Sequence, residues 1–250
     1  MNQQSSINKK AWEYRAYEFW VKNEGLPKEY AKIILENPTA RLKQHGKYFC
    51  NINGLKIGNP CGSNGRRAVA LALLGADVTV FDISEENKRY ALELADCSNV
   101  KLDYVVGDLY DVNMDVYGGY FDILYLEGGI LHYFHDIDKL MKTLFLMLKP
   151  DGKIILNDFH PFRKVIPINF SKVSVEDYFD TNIHNGNVAY KDFLEQEEGE
   201  EFTKCSLRFY NISEIINSVI RNGFSIKEFN EDPSWSNDKL PGEITIYATK

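Results

Sequence analysis

Two acidic side chains stand at the ends of predicted neighbouring strands, where a ligand could bind. Asp82 closes the β-branched and aromatic run 78–81, and Asp108 follows the apolar run 100–106. Such runs are typical of buried parallel strands, and open α/β sheets bind ligands at the carboxyl ends of those strands. Asp82 also follows a turn of small residues by roughly 20 positions, the spacing at which a carboxylate takes both ribose hydroxyls. The pattern predicts half of a nucleotide-binding crevice, and its plain alternative is a tight turn without a ligand.

The turn itself is the second chemical feature. Residues 59–65 read Asn-Pro-Cys-Gly-Ser-Asn-Gly and lie between an apolar strand that begins at Leu55 and an apolar helix over 66–74. So many turn formers should end the strand at residue 58. Their small side chains let the backbone approach a ligand, and the following helix offers free N–H groups at its start.

Five strand patterns alternate with helical patterns between residues 55 and 157. This alternation predicts an α/β fold with a doubly wound, mostly parallel, Rossmann-like sheet, because parallel neighbours are joined by helical crossovers. Two more strands are expected at 224–226 and 243–247.

The N-terminal region is aromatic rather than catalytic in composition. Residues 1–10 are polar and are expected to be disordered, whereas two helical patterns follow up to Asn37. We expect residues 1–46 to form a helical lid ahead of a main domain over 47–250. Trp12, Tyr17 and Trp20 then either anchor the lid to the core or line a substrate pocket.

The regular alternation lapses after Pro161. Residues 162–209 are predicted to be a cap insertion on the ligand side of the sheet, with Asn185-Gly186 as a hairpin turn within it. The acidic run 195–201 is expected to be a solvated loop.

Composition excludes several classes of protein. The chain has 250 residues, 44% of them hydrophobic, and a formal net charge of −7, which argues against a nucleic-acid substrate. Its 4 cysteines show no C-x-x-C spacing, so neither a metal site nor disulfides are expected. The polar N-terminus and the lack of a long apolar run predict a cytoplasmic protein, monomeric or homodimeric, without a membrane partner.

Together, these features resemble the class I S-adenosylmethionine-dependent methyltransferases, in their small-molecule branch, over roughly residues 50–250. Asn59, Cys61, Ser63 and Gly65 stand where that family has an acid followed by three alternating glycines, and Leu148-Lys149-Pro150-Asp151-Gly152 before the fifth strand is a shared feature. The resemblance implies a seven-stranded sheet with an antiparallel C-terminal strand, and S-adenosyl-L-methionine as cofactor. The implied cofactor-binding residues are Asn59, Cys61, Gly62, Ser63, Gly65, Asp82, Ile83, Gly107, Asp108, Leu109 and Glu127.

The resemblance also implies transfer of a methyl group to an oxygen, nitrogen or carbon atom of a small molecule. Such a reaction needs positioning above all, with a general base where the acceptor is protonated. Base candidates follow the fourth and fifth strands, namely His132, His160, Glu127 and Tyr133. The expected substrate-binding residues are Trp12, Tyr17, Trp20, His132 and His160. Alternatives are an NAD(P)-dependent oxidoreductase and a non-catalytic S-adenosylmethionine-binding protein.

Overall fold

A seven-stranded sheet organises the computed structural model, which describes residues 1–165, 177–195 and 199–250. The strands in chain order are β1 (Lys56–Pro60), β2 (Asp77–Asp82), β3 (Asp103–Val106), β4 (Phe121–Leu126), β5 (Leu148–Phe159), β6 (Ile183–Gly186), β7 (Cys205–Arg208), β8 (Ser225–Ser234) and β9 (Asn237–Thr249). The sheet order is β3-β2-β1-β4-β5-β9-β8, and β6 pairs with β7 in a separate two-stranded sheet. Strands β1 to β5 are parallel and β9 runs antiparallel between β5 and β8. The predicted fold class is confirmed.

Helices cover both faces of the sheet. They are α1 (Gln3–Glu13), α2 (Ala16–Glu24), α3 (Pro27–Glu36), α4 (Arg66–Leu73), α5 (Glu85–Cys97), α6 (Met114–Tyr117), α7 (Ile137–Met147), α8 (Phe162–Val165) and α9 (Ile212–Arg221). Short 3-10 segments lie at Thr39–Phe49, Leu109–Asp111, Leu131–Tyr133 and Lys191–Phe193. Ser84 and Asp136 cap α5 and α7, because each side chain accepts a hydrogen bond from a backbone N–H of the first turn.

The core divides into two layers because successive strand residues point to opposite faces. On β4, Ile123 and Tyr125 pack with α4 and the N-terminal helices, whereas Leu124 and Leu126 pack with α7 and α9. All four are buried. The carboxyl edge of the strands, where open α/β sheets bind ligands, is the place where a ligand site can form.

The N-terminal ten residues correct the expectation of disorder. They belong largely to α1, whose N-cap Asn2 accepts from the Ser5 N–H at 2.8 Å. The polar side chains that suggested disorder are buried instead: Asn8 exchanges two hydrogen bonds with the backbone of Ser206, and Gln4 donates to the Tyr133 carbonyl. A helix with such a polar inner face cannot be found from apolar periodicity.

Three strand limits also differ from the prediction. Strand β1 continues through Asn59 to Pro60, so the turn begins two residues later than expected. Asn185 and Gly186 lie within β6 and pair with Ser206 and Cys205, so the predicted hairpin turn is wrong. Strands β8 and β9 extend the closing pair into a long hairpin. The predicted cap insertion and acidic loop fall partly on 166–176 and 196–198, which lie outside the described residues.

Candidate functional site

The turn after β1 adopts an alternating backbone. Cys61, Ser63 and Gly65 have φ values of +54°, +50° and +71°. Left-handed backbone costs a non-glycine residue about 1–3 kcal/mol, so Cys61 and Ser63 hold a glycine-like conformation against a local penalty. The substituted turn therefore keeps the path of a glycine turn while adding two small side chains.

Neighbouring atoms leave no room for a side chain at either glycine of the turn. A Cβ on Gly62 would meet Val80 Cγ1 at 2.7 Å, and one on Gly65 would lie 2.6 Å from the Cβ of Ala91 in α5. Gly62 still borders the cavity described below, but Gly65 does not. Gly65 is the one predicted cofactor residue that the structure leaves away from the cavity, because it faces α5.

Asp82 organises the turn as well as the strand edge. One carboxylate oxygen, Oδ2, accepts from the Ser63 N–H at 3.0 Å. The other, Oδ1, accepts from the Ser84 N–H and from Asn87 Nδ2, both at 3.0 Å. Burial raises the pKa of Asp82, and these three donors oppose that rise. Since an ionised carboxylate has about four acceptor positions, Oδ2 can still take a hydroxyl group.

Asp108 lies at the neighbouring strand end and is only 6% exposed. Its Oδ1 accepts from the Tyr110 N–H at 3.0 Å and caps the 3-10 segment Leu109–Asp111. Its Oδ2 is buried without a hydrogen-bond partner in the described chain. A buried acceptor of this kind costs about 1–3 kcal/mol, so the structure holds an oxygen ready for a donor from a ligand.

Glu127, at the end of β4, forms a buried ion pair with Arg67 of α4. The guanidinium contacts both carboxylate oxygens at 2.9 Å, and Lys43 Nζ lies 3.9 Å from Oε1. Burial alone would raise the pKa of Glu127, but Arg67 outweighs it and holds that pKa at about 2. The nearby Asn59 binds the Tyr125 carbonyl through Nδ2 and leaves Oδ1 buried without a partner.

These groups surround a first cavity of about 320 Å³. Ten of the predicted cofactor residues border it: Asn59, Cys61, Gly62, Ser63, Asp82, Ile83, Gly107, Asp108, Leu109 and Glu127. Four buried polar atoms without partners in the described chain also belong to residues on its wall, namely Asn59 Oδ1, Ser63 Oγ, Asn64 Nδ2 and Asp108 Oδ2. The cavity can therefore satisfy a ligand that carries both donors and acceptors.

Aromatic side chains roof the first cavity. Trp12, Phe19 and Trp20 border it, together with Tyr190 from beyond β6. Trp12 packs edge-on against both Tyr133 and Tyr190, and Trp20 donates to Asn87 Oδ1 at 2.8 Å. These side chains of the N-terminal helices therefore pack on the core and also border the first cavity.

Tyr17 departs from the prediction of substrate contact. The chain breaks between α1 and α2 at Arg15, whose φ is +55°. Tyr17 consequently faces α5, where it packs on Tyr90 and donates to Glu93. It borders neither of the cavities described here.

A second cavity of about 400 Å³ lies beside the first. Both are bordered by Tyr133, Phe159 and Ala189, so they share a wall. His132 and His160 border the second cavity alone. Of the base candidates, only Tyr133 reaches both.

The two histidines differ in what their rings can do. The Phe162 N–H donates to His160 Nδ1 at 3.1 Å, which leaves Nε2 to donate to Glu231 at 2.9 Å. Both nitrogens of His160 are therefore engaged. His132 contacts only rings, lying nearly parallel to Phe159 and Phe209, and makes no hydrogen bond within the described ranges. Burial and the charge of Arg163 lower the pKa of His132 to about 4, so its ring is neutral at neutral pH.

Several site residues escape sequence reasoning. Asp158 could have been found, because it lies at the carboxyl end of β5 like the other acids. Its Oδ2 accepts from the Ile130 and Leu131 N–H groups, both at 2.7 Å, and burial raises its pKa to about 6. Lys43 and Trp235 carry no local signal: one lies in an irregular connection, the other at the tip of the β8–β9 hairpin.

Metal and membrane features complete the description of the site. Within the described ranges, no group of three or more His, Cys, Asp or Glu side chains is arranged to hold a metal ion. Nor does any helix in that part of the chain combine the length and apolar character needed to cross a membrane.

Asp82 and Asp108 lie at the carboxyl edge of a doubly wound sheet, where α/β proteins bind nucleosides. A family model described as a methyltransferase domain matches residues 55–156. A ubiquinone biosynthesis O-methyltransferase from Xanthomonas axonopodis pv. citri (strain 306) is 27% identical over 166 residues, which cover 66% of this chain and 64% of that protein. The chain thus aligns with less than two thirds of that relative's length.

Two solved structures share the fold. An S-adenosylmethionine-dependent methyltransferase from Mesorhizobium loti aligns with a TM-score of 0.61 at 19% identity, over 80% of this chain and 92% of that one. Magnesium protoporphyrin IX methyltransferase from Synechocystis PCC 6803, with bound SAH, gives a TM-score of 0.61 at 15% identity, over 99% and 100%. The domain match over residues 55–156 and the shared fold support the predicted resemblance to the class I S-adenosylmethionine-dependent methyltransferases.

Proposed function

We propose that the protein transfers a methyl group from S-adenosyl-L-methionine to an oxygen, nitrogen or carbon atom of a small-molecule acceptor. The observation that carries this proposal is the unpartnered, buried Oδ2 of Asp108 beside Asp82, at neighbouring strand ends of one cavity. An adenosine offers a donor for each carboxylate, namely an exocyclic amine for Asp108 and ribose hydroxyls for Asp82.

The residues present fit the rest of the cofactor as well. Leu109 can offer its backbone N–H to the adenine ring next to Asp108. At the other end of the first cavity, Asn59 Oδ1 and Glu127 are acceptors for the ammonium group of the methionine moiety, and Lys43 is a cation for its carboxylate. Glu127 stays ionised beside Arg67, and its carboxylate has acceptor positions left for a hydrogen bond from that ammonium group.

S-adenosyl-L-methionine, when bound, supplies a methyl group that its positively charged sulfur already activates. The chain then has to align an acceptor with that methyl group and keep water out. Alignment of this kind can contribute roughly 7–11 kcal/mol. The roof of Trp12, Phe19, Trp20 and Tyr190 supports both tasks, and we propose that residues 1–46 act as the lid that carries it.

His132 is our proposed general base where the acceptor atom carries a proton. Its ring is neutral, makes no hydrogen bond within the described ranges and borders the second cavity. The other candidates fit the role less well. Glu127 borders the first cavity but not the second, and both of its oxygens already accept from Arg67. Both nitrogens of His160 are engaged. Burial raises the pKa of Tyr133, which keeps its hydroxyl protonated.

The acceptor we propose is a small molecule rather than a nucleic acid, since the net charge of −7 opposes phosphate backbones. We further propose that the protein works in the cytoplasm as a monomer or homodimer.

Thermal unfolding with added ligands tests the cofactor. S-adenosylhomocysteine at 100 times its Kd should stabilise the protein by about 2.7 kcal/mol, equivalent to a rise in Tm of roughly 5–10 °C. NAD and NADP should give no rise. Asp82→Ala should abolish the shift, whereas Asp77→Ala, at the exposed far end of the same strand, should preserve it. A shift with NAD instead would favour an oxidoreductase.

Turnover separates an enzyme from a non-catalytic binding protein. Release of S-adenosylhomocysteine from S-adenosylmethionine is followed by mass spectrometry over a library of small hydroxylated and amino compounds. A methyltransferase yields a product heavier by one methylene group together with that release. Binding of the cofactor without any such product would support the non-catalytic alternative.

A further inference from the structure

The second cavity has an aromatic wall beside several charged and polar side chains. His132 lies nearly parallel to Phe159 on one side and to Phe209 on the other, with ring-centroid distances of 6.4 and 5.8 Å and interplanar angles of 14° and 17°. Leu131 and Leu207 complete this side of the cavity. Parallel rings of this kind favour a planar, unsaturated guest over a bulky aliphatic one.

One cation on the wall of this cavity makes no polar bond with the described chain. The Arg163 guanidinium lies over the Phe159 ring, 3.9 Å from its centroid, and makes no hydrogen bond or ion pair within residues 1–165, 177–195 and 199–250. Arg67 and Arg208, by contrast, each bind a carboxylate through two nitrogens. The neighbouring Lys164 pairs with Asp180 at 3.6 Å. The donors of Arg163 are therefore available to a guest, while its guanidinium lies between the rings of Phe159 and Trp235, 3.9 and 5.6 Å from their centroids.

Two carboxylates limit the charge that the guest can carry. The negative charges of Asp158 and Glu243 both favour the charged form of the Arg163 guanidinium. The Asp158 oxygens already accept three backbone N–H groups, from Ile130, Leu131 and Phe159, so this acid stays fixed at the cavity wall. A doubly charged phosphate would be repelled by these acids, whereas a single carboxylate matches the planar fork of one guanidinium.

We propose that the second cavity binds a planar acceptor that bears one carboxylate, which Arg163 holds while the flat body packs beside the stacked rings of His132, Phe159 and Phe209. This proposal rests on the proposed function, because the bound molecule is a methyl acceptor only if the protein transfers methyl groups. The shared wall of Tyr133, Phe159 and Ala189 places such a molecule beside the cofactor cavity. It names the class of acceptor that the first cavity leaves open.

Calorimetric binding of matched probes to the full chain tests the proposal. The probes are 4-hydroxybenzoate, the uncharged 4-hydroxybenzamide of the same shape, and phenyl phosphate, each titrated with and without saturating S-adenosylhomocysteine. The wild type should bind the carboxylate at least about 10-fold more tightly than the amide, because charge-assisted hydrogen bonds contribute about 1.5–3 kcal/mol. Phenyl phosphate should bind more weakly than the carboxylate.

Variants assign the preference to Arg163. Arg163→Gln should reduce the preference for the carboxylate to less than about 3-fold, and Arg163→Lys should leave an intermediate value because it keeps the charge but loses the fork. Arg221→Gln is the matched control, since Arg221 is an exposed arginine that pairs with Asp138 on α7. It should leave every probe affinity unchanged.

The outcomes separate this inference from the proposed function. Equal binding of acid and amide, tighter binding of phenyl phosphate, a preference that survives Arg163→Gln, or no binding of any probe at millimolar concentration would each overturn the inference. Binding of S-adenosylhomocysteine is measured independently in the same titrations, and its absence would count against the proposed function alone.

Discussion

The two cavities share a wall but differ in how the chain builds them and in the charge they present. The first is formed mainly by consecutive strand ends between Asn59 and Glu127, and its acids Asp82, Asp108 and Glu127 are each bound within it. The second gathers residues from 131 to 215 and presents the neutral His132 together with Arg163, which has no ion-pair partner among the residues that the structure describes. The cavity proposed for the cofactor thus adjoins the cavity proposed for the acceptor.

This difference suggests a division of labour under the proposed function: strand ends bind the cofactor, and connections and edge strands select the acceptor. Strand ends are fixed by the sheet, so their side chains hold the cofactor in one geometry. Connections and edge strands vary more readily, so they are suited to choose an acceptor. The predictions below test that division, beginning with the largest expected effect.

Breaking the ion pair should damage the first cavity most. Glu127→Ala leaves the Arg67 guanidinium buried without its carboxylate, which we expect to lower the free energy of unfolding by about 3–5 kcal/mol. Urea denaturation measures the loss. Arg221→Ala, which removes an ion pair whose side chains are 56% and 50% exposed, should lower it by no more than about 1 kcal/mol. Equal losses in the two variants would contradict the structural role of Glu127.

Gly65 tests the packing that aligns the turn. Gly65→Ala combines a left-handed backbone with a methyl group 2.6 Å from Ala91 Cβ, and each effect costs about 1–3 kcal/mol. The control is Gly54→Ala, where φ is +75° but no atom lies within 4 Å. The control carries the backbone strain alone, so its unfolding free energy should fall clearly less. An equal loss of unfolding free energy in the two variants would show that packing against α5 does not hold the turn in place.

The second cavity should show two opposing dependences of stability on pH. Burial lowers the pKa of His132 to about 4, so the folded state binds fewer protons than the unfolded state and gains stability as pH rises from 4 to 6.5. Burial raises the pKa of Asp158 to about 6, so the folded state binds more protons and loses stability as pH rises from 3.8 to 6. In the wild type these contributions largely cancel.

Replacing either His132 or Asp158 should reveal the pH dependence of stability that comes from the other. Between pH 4 and pH 6.5, the unfolding free energy of His132→Gln should fall by about 2–3 kcal/mol relative to the wild type, and that of Asp158→Asn should rise by a similar amount. Urea denaturation at both pH values measures the change. Parallel pH profiles in all three proteins would show that these groups are not buried as described.

Asp108 should affect the first cavity without changing the second. Asp108→Asn keeps the cap of the following 3-10 segment but removes the charge of the unpartnered oxygen, so we expect about 10-fold weaker binding of S-adenosylhomocysteine. Calorimetry should find the affinity for 4-hydroxybenzoate unchanged in the cofactor-free protein. Asp103→Asn, at the exposed start of β3, is the control and should bind both ligands normally. An unchanged affinity in Asp108→Asn would place the adenine elsewhere.

Lys43 should give the smallest effect. Its side chain is 49% exposed and lies 3.9 Å from Glu127, so Lys43→Ala should weaken S-adenosylhomocysteine by only about 2–5-fold. The affinity for 5′-methylthioadenosine, which lacks the amino-acid moiety, should stay the same. Lys43→Arg should retain the wild-type affinity for S-adenosylhomocysteine. If both ligands weaken equally, Lys43 does not act on the amino-acid end.

By itself, the sequence determined the sheet and most of the first cavity. Apolar strands and helix caps are local patterns, and they were enough to predict that Asp82, Asp108 and Glu127 lie at one edge of the sheet. Local patterns failed where a polar face was buried, as at Asn8 in α1, or where the partner strand lay distant in sequence, as at Asn185.

Only the tertiary structure decided what each candidate side chain can do. The Phe162 N–H and Glu231 engage both nitrogens of His160, whereas His132 keeps its nitrogens free of any hydrogen bond in the described chain. Arg15 breaks the N-terminal helices and turns Tyr17 toward α5. Reactivity and contact depend on neighbours that are distant in sequence, because burial and hydrogen bonding are set by packing rather than by residue type.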